Sequence, residues 1–278
     1  MARGKIRIDE LLVSRGLFDS VDEARRACFA GEVSSGDVHV TAPSQKVSPD
    51  IELNVKSRPR FVSRGGDKLE SALEQTGFDP SGMNCIDVGA SSGGFTDCLL
   101  QHGASRVAAV DVGYADFAWS LRNDPRVSLY ERTNIKSVAP EQVGGPFDLL
   151  VADLLFISLT SLLPVFLELI RDSGHALIMV KPQFEIERER VEEGGVVRLA
   201  SEHTEVLEKV VGNMELGGFE VLDLCPSRVP GKKRHNLEFF ILARKRADST
   251  DDGLELPGKH VSIDIAGIVN EAHESLGD

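Results

Sequence analysis

The chain has 278 residues, four cysteines and a formal net charge of −13. An acidic average of this size excludes a surface that coats nucleic acid throughout, because counterion release needs local positive charge, so any such contact must come from particular basic segments. Cys28, Cys85, Cys98 and Cys225 show neither C-x-x-C nor Cys/His metal spacing and sit among apolar neighbours, which predicts buried thiols of a reducing, cytoplasmic compartment and no metal site.

In chain order, "RIDELLVSRG" and "DSVDEARRACFAG" predict two short amphipathic helices. The first is stopped by Gly16; the second is capped by Ser20, with Glu23 three residues on, and stopped by Gly31. Leu11, Leu12, Ala24, Ala27 and Cys28 should face one another. The stretch "EVSSGDVHVTAPSQKVSPDIELNV" then alternates short β-rich pieces with Gly, Pro and Asp turns, a small antiparallel set of strands. Residues 1–60 thus read as a small α+β domain whose charge is nearly balanced, ten basic side chains against nine acidic. Arg7, Arg25 and Arg26 concentrate positive charge on its helical part, with a solvated charged face as the alternative to a binding surface. Residues 61–66 read as a linker. In "SRGGDKLESAL", Asp67 and Glu70 form a D-x-x-E capping box that places Lys68 in a helix's first turn, where a cation is disfavoured by the dipole.

Residues 67–246 alternate helices with apolar runs: "NCIDVGA", "RVAAVDVG", "RVSLYERT", "FDLLVADL", "HALIMVKP", "FEVLDLCPSR" and "LEFFILARKR". Such unbroken runs suit strands buried on both faces, and predict an α/β, seven-stranded, mostly parallel Rossmann-like sheet. Residues 247–278 are an acidic connector and a last amphipathic helix. No basic segment followed by an apolar stretch opens the chain, and the run "LLFISLTSLLPVFLELI" is broken by Ser, Thr and Pro, so neither a membrane span nor a stable membrane association is expected.

"DVGASSGGFTDCLL" carries most of the chemistry. A strand ends at Asp87, and Gly89, Gly93 and Gly94 make a tight turn before a helix, the place where doubly wound sheets bind ligands. The G-x-x-x-G-G spacing fits a nucleoside-bearing ligand better than a dinucleotide, and S-adenosyl-L-methionine is the favoured cofactor. Asp111, ending the next strand, can accept both ribose hydroxyls, and Asn134 is a candidate for the adenine edge. Ser91, Phe95 and Asp153 complete the expected cofactor contacts. Asp153 and Lys181 end the fourth and fifth strands, and Glu238 begins a later one. The N/D-P-P-Y/F motif with which base methyltransferases clamp a flipped base is absent at Asp153. A lysine beside carboxylates suits deprotonation of an alcohol such as a ribose 2′-hydroxyl. Arg64 and the cluster Lys232, Lys233 and Arg234 supply positive charge near that centre.

Together, "LLVSRGL", "ARRACFAGEV", "KVSPD", "FVSRGGDKLESAL", "DVGASSGGFTDCLL", "DVGYADFAWSLRNDPRV", "ERTNI", "ADLLFISL", "VKPQFE" and "GGVVR" resemble the TlyA family, also called hemolysin A, across residues 5–245. The resemblance implies a ribosomal-protein-S-four-type RNA-binding domain joined to an FtsJ-like, S-adenosylmethionine-dependent methyltransferase domain. It implies 2′-O-methylation of a cytidine ribose in ribosomal RNA, with ribosomal RNA or ribosomal subunits as partner, held by Arg7, Arg25 and Arg26 of the small domain and by Arg64, Lys232, Lys233 and Arg234 beside the site; no metal is required, and a monomer or weak dimer is expected. It places a Lys-Asp-Lys-Glu tetrad on Lys68, Asp153, Lys181 and Glu238, with Lys181 as general base. Two alternatives stay open: a non-catalytic factor that binds RNA and S-adenosylmethionine, and a membrane-active hemolysin.

Overall fold

A computed structural model of the chain describes residues 4–18, 20–56, 59–231, 236–247 and 263–276. It divides into two compact units, Met1–Pro59 and Arg60–Asp278.

In the smaller unit, helices Ile8–Ser14 and Val21–Phe29 bury Leu11, Leu12, Ala24, Ala27 and Cys28 in a common core. Ser20 caps the second helix by accepting from the Glu23 N–H. Ile6–Arg7 pairs antiparallel with Lys46–Val47, and Val33–Ser35 is flanked by Val38–His39 and Asn54–Val55. The expected helix pair and antiparallel strands are both present.

In the larger unit seven strands form one sheet: β1 (Asn84–Val88), β2 (Arg106–Val110), β3 (Val127–Tyr130), β4 (Phe147–Ala152), β5 (Ile170–Val180), β6 (Phe219–Pro226) and β7 (Phe239–Lys245). Their order is β6-β7-β5-β4-β1-β2-β3, and only β7 runs against its neighbours. Alternate residues of each central strand enter opposite cores. Ile86, Val88, Leu150 and Ala152 share a core with α4 (Leu163–Leu169), α5 (Ala200–Leu216) and α6 (Ile265–Leu276), whereas Cys85, Leu149 and Val151 share one with α1 (Arg64–Thr76), α2 (Gly94–Gln101) and Leu121 of the short α3 (Trp119–Arg122). Double burial explains why these strands read as continuous apolar runs.

Two boundaries differ from the sequence expectation. Residues 61–66 are not a linker: Phe61 is buried, Ser63 is the N-cap residue and Arg64 already opens α1. Lys68 therefore lies in the second turn, and the Asp67–Glu70 capping box does not form. The glycines are the reason the helix starts early. Gly66 packs so closely on Phe61 that an added Cβ would stand 2.2 Å from its ring, and the α1 backbone approaches Gly94 of α2, where a Cβ would stand 2.8 Å from the Gly66 nitrogen. Helix α1 ends where Gly77 adopts φ 64°, a left-handed stop. The last helix is also more than a tail, since Val269 and Ala272 of α6 are fully buried in the core shared with α5 and β6.

Candidate active site

The sheet register lines up one edge. Val88 pairs with both Val110 and Ala152, so Gly89, Asp111 and Asp153 follow side by side at the carboxyl ends of β1, β2 and β4. Lys181 follows β5. Because β7 is antiparallel, its beginning lies at that same edge, and the pairing of Val180 with Phe239 sets Glu238 beside Lys181.

At the glycine turn, Gly89 has φ 87° and would place a Cβ 2.6 Å from the Asp153 carbonyl oxygen, so only glycine lets β4 come this close. Asp87 accepts from the Thr96 N–H at 3.0 Å and from its hydroxyl at 2.7 Å, which ties the end of β1 to the first turn of α2. Burial pushes the Asp87 carboxyl up to about 7, against the lowering by these two bonds. Asp111 accepts from the Ser91 N–H at 2.7 Å and from the Gly113 N–H at 2.6 Å, one on each oxygen. Each oxygen keeps a second lone pair, so the residue can brace the turn and still receive hydroxyl groups. A recess beside it is lined by Ser91, Asp111, Tyr114, Phe117 and Leu129.

Three other expected cofactor residues have structural work. A Cβ at Gly94 would meet Ser63 Oγ at 2.3 Å, so this glycine serves the crossing of α1 and α2. The Phe95 ring is buried against Phe240, with centroids 6.0 Å apart, and its side chain belongs to the core rather than to a ligand surface. Asn134 is exposed and spends its Oδ1 on the Lys136 N–H, capping the turn Ile135–Ser137.

The four tetrad residues form two ion pairs. Lys181 Nζ donates to Asp153 Oδ1, and Lys68 Nζ donates to Glu238 Oε2. Lys68, Lys181 and Glu238 are almost fully buried, while a quarter of the Asp153 side chain is exposed. A buried lysine without a partner would be costly, so each carboxylate both neutralises and aims its lysine. This explains Lys68 better than the helix dipole does: what had to be offset was its burial. Glu70, freed from capping, pairs with Arg60.

The family described as FtsJ-like methyltransferase matches residues 61–246, which span all of these groups. The chain belongs to the FtsJ-like methyltransferase family. It is 40% identical over 250 residues, 89% of this chain and 92% of the other, to the 16S/23S rRNA (cytidine-2'-O)-methyltransferase TlyA of Mycobacterium tuberculosis (strain ATCC 25618 / H37Rv). It is 34% identical over 236 residues, 84% of this chain and 98% of the other, to Hemolysin A of Brachyspira hyodysenteriae. Among solved structures it is similar to a protein named as a hemolysin from Streptococcus thermophilus, with 37% identity, a TM-score of 0.70 and coverage of 98% and 97% of the two chains.

In this FtsJ-like chain the site also contains residues that sequence reasoning missed. Phe156, three residues beyond Asp153, is 86% exposed at φ 62°, a backbone region where non-glycine residues are uncommon, and its ring stands 5.2 Å from that of Phe184. It lies in the apolar run "LLFISLTSLLPVFLELI", where nothing in the sequence separates an exposed ring from a buried one. Asn236, two residues before Glu238, donates to the Gly195 carbonyl at 2.7 Å and accepts from the Val197 N–H at 3.2 Å, holding the "GGVVR" segment to the start of β7.

The expected RNA contacts divide. Arg7 and Arg25 both donate to Asp9, which is fully buried; hydrogen bonds from Arg7 first, and then Arg25, hold its carboxyl down to about 2 despite burial. Both arginines thus have a structural task, and part of each remains accessible. Arg26 is exposed. Arg64 is exposed and donates to the Pro230 carbonyl. Lys232, Lys233 and Arg234 lie outside the described residues.

Proposed function

We propose that the protein methylates the ribose 2′-oxygen of a cytidine in ribosomal RNA, in the cytoplasm. The observation that carries this reading is the edge on which two lysine–carboxylate pairs stand next to the glycine turn and Asp111. The named activity of the TlyA relative, on cytidine 2′-O, agrees with it. S-adenosyl-L-methionine supplies an electrophilic methyl group when bound. Gly89, Ser91, Gly93 and Asp111 would hold it, Asp111 through the lone pairs left free by its two backbone bonds.

Once its ammonium has given up a proton through Asp153 to solvent, the neutral Lys181 Nζ receives the proton of the 2′-hydroxyl, with Asp153 setting the direction of that nitrogen. Lys68 and Glu238 form a second fixed pair that keeps the floor of the site charged and rigid. Positioning supplies much of the rate, since a held alcohol oxygen gains the proximity advantage over one free in solution. The exposed ring of Phe156 offers a face on which a nucleobase splayed out of folded RNA can stack. The smaller unit binds RNA through Arg26 and the accessible parts of Arg7 and Arg25.

The roles are tested by Lys181→Ala. Transfer of labelled methyl groups to ribosomal subunits should fall by roughly 10²–10⁴-fold, the usual contribution of a general base, while calorimetric binding of S-adenosylmethionine stays within twofold. Unchanged transfer would remove Lys181 from the mechanism.

A further inference from the structure

The loops that leave β4 and β5 are fastened together at three successive points. Asp153 pairs with Lys181 at the strand ends. Three residues on, the Phe156 ring stands 5.2 Å from Phe184. At the far end, Glu185 accepts from Ser158 Oγ and from the Leu159 N–H, each at 2.7 Å. Glu185 is only 5% exposed, and its main-chain carbonyl receives the Lys209 ammonium of α5 at 3.2 Å, which anchors the clamp to the body of the sheet. Two accepted hydrogen bonds do not match the hydration a carboxylate gives up on burial. A neutral or apolar residue would fill this space at lower cost, so the placement of the charge calls for a reason. The two bonds fix one flank of Phe156 through Ser158 and Leu159, while the pair with Lys181 holds Asp153 on the other. A ring at positive φ with 86% exposure gains little from its contact with Phe184, and needs such a restraint.

We propose that Glu185 is a positioning residue for the acceptor nucleotide: through Ser158 and Leu159 it holds the 153–159 loop so that Phe156 presents its ring beside the Asp153–Lys181 pair. The proposal rests on the RNA 2′-O-methylation reading above. Glu185 touches neither cofactor nor reacting atoms; it acts through the loop. Its loss therefore falls on acceptor binding more than on the chemical step. Ser158→Ala removes one of the two bonds from the other side, without altering the buried carboxylate.

The test is steady-state methyl transfer to purified ribosomal subunits, with KM for the subunit and kcat resolved for the parent, Ser158→Ala, Glu185→Leu, Phe156→Ala and the pairwise combinations. Glu185→Leu removes the acceptors of both the Ser158 hydroxyl and the Leu159 N–H. It should raise KM roughly tenfold, as Ser158→Ala does, with kcat within about threefold, the scale expected of a small misplacement. Combining either with Phe156→Ala should add nothing to the loss from Phe156→Ala alone, because one interaction is being removed twice. A general loss of folding would instead lower the active fraction and leave KM unchanged. The proposal is overturned if both single variants leave KM within twofold of the parent, or if their effects multiply with that of Phe156→Ala. If the parent itself labels no ribosomal RNA, the functional reading fails and the proposal falls with it.

Discussion

At the scale of single residues, the candidate site is an arrangement of buried charge whose parts were named from the sequence but whose pairing was not. Asp153, Lys181 and Glu238 could be placed at strand ends from their position in apolar runs; which carboxylate serves which lysine needed the sheet order. Glu238 belongs with Lys68 and Asp153 with Lys181. Removing one member of a buried pair leaves the other uncompensated, whereas removing both replaces it with apolar packing. Lys68→Met should therefore lower unfolding stability by about 3–5 kcal/mol, and Lys68→Met with Glu238→Leu should recover most of it in urea denaturation. Methyl transfer should stay low in both. A double variant no more stable than the single one would mean that the pair does not compensate itself. Phe95, Gly94 and Asn134 show the limit of motif reading at this scale. A motif marks where a turn must be tight, and the same small or polar residues serve helix crossing, core packing and turn capping.

At the scale of elements, the seven strands were legible because burial on both faces leaves an unbroken apolar signature in the chain. Their order was not, since periodicity carries no information about which strand neighbours which. The antiparallel insertion of β7 between β5 and β6 is the detail that brings Glu238 to the working edge. The start of α1 was misplaced because residues 61–66, with adjacent Gly65 and Gly66, read as a linker, while here the two glycines allow close packing on Phe61 and α2. Helix α6 shows a dependence on pH that composition did not suggest. His203 of α5 is buried, shares a 2.8 Å hydrogen bond with His273 of α6, and lies edge-on to Phe239. Burial, with the His273 ring beside it, pushes His203 down from 6.5 to about 4. The folded state thus holds this imidazole neutral while the unfolded chain takes up a proton below about 6.5. Its stabilising contribution is intact above that value and is lost as pH falls towards 4. Hydrogen-exchange protection of the α6 amides should drop between pH 7.5 and pH 5 relative to those of α1, and His203→Gln should flatten the difference. Equal protection at both values in the parent would contradict the account.

At the scale of the whole molecule, the chain is two compact units of different character. The smaller unit closes its own core around Leu12, Ala24, Ala27 and Cys28 and anchors it on the buried Asp9. The FtsJ-like match covers only the larger unit. The division near residue 60 was visible in the change from an α-then-β pattern to alternating strands and helices, a difference in period as well as in charge. Separate cores favour separate unfolding transitions. Asp9→Asn should lower one calorimetric transition, by about 1–3 kcal/mol for the weakened charged hydrogen bonds, and leave the other in place. A uniform shift of both would mean one cooperative unit. The central claim, that two lysine–carboxylate pairs on one sheet edge perform 2′-O-methylation of RNA, is tested most directly by locating the transferred methyl group. Ribosomal RNA treated with the purified protein and labelled S-adenosylmethionine should carry the label on a ribose 2′-oxygen, at a cytidine protected from alkaline cleavage. Label on a base, or a cofactor-binding protein that transfers nothing to RNA, would contradict it.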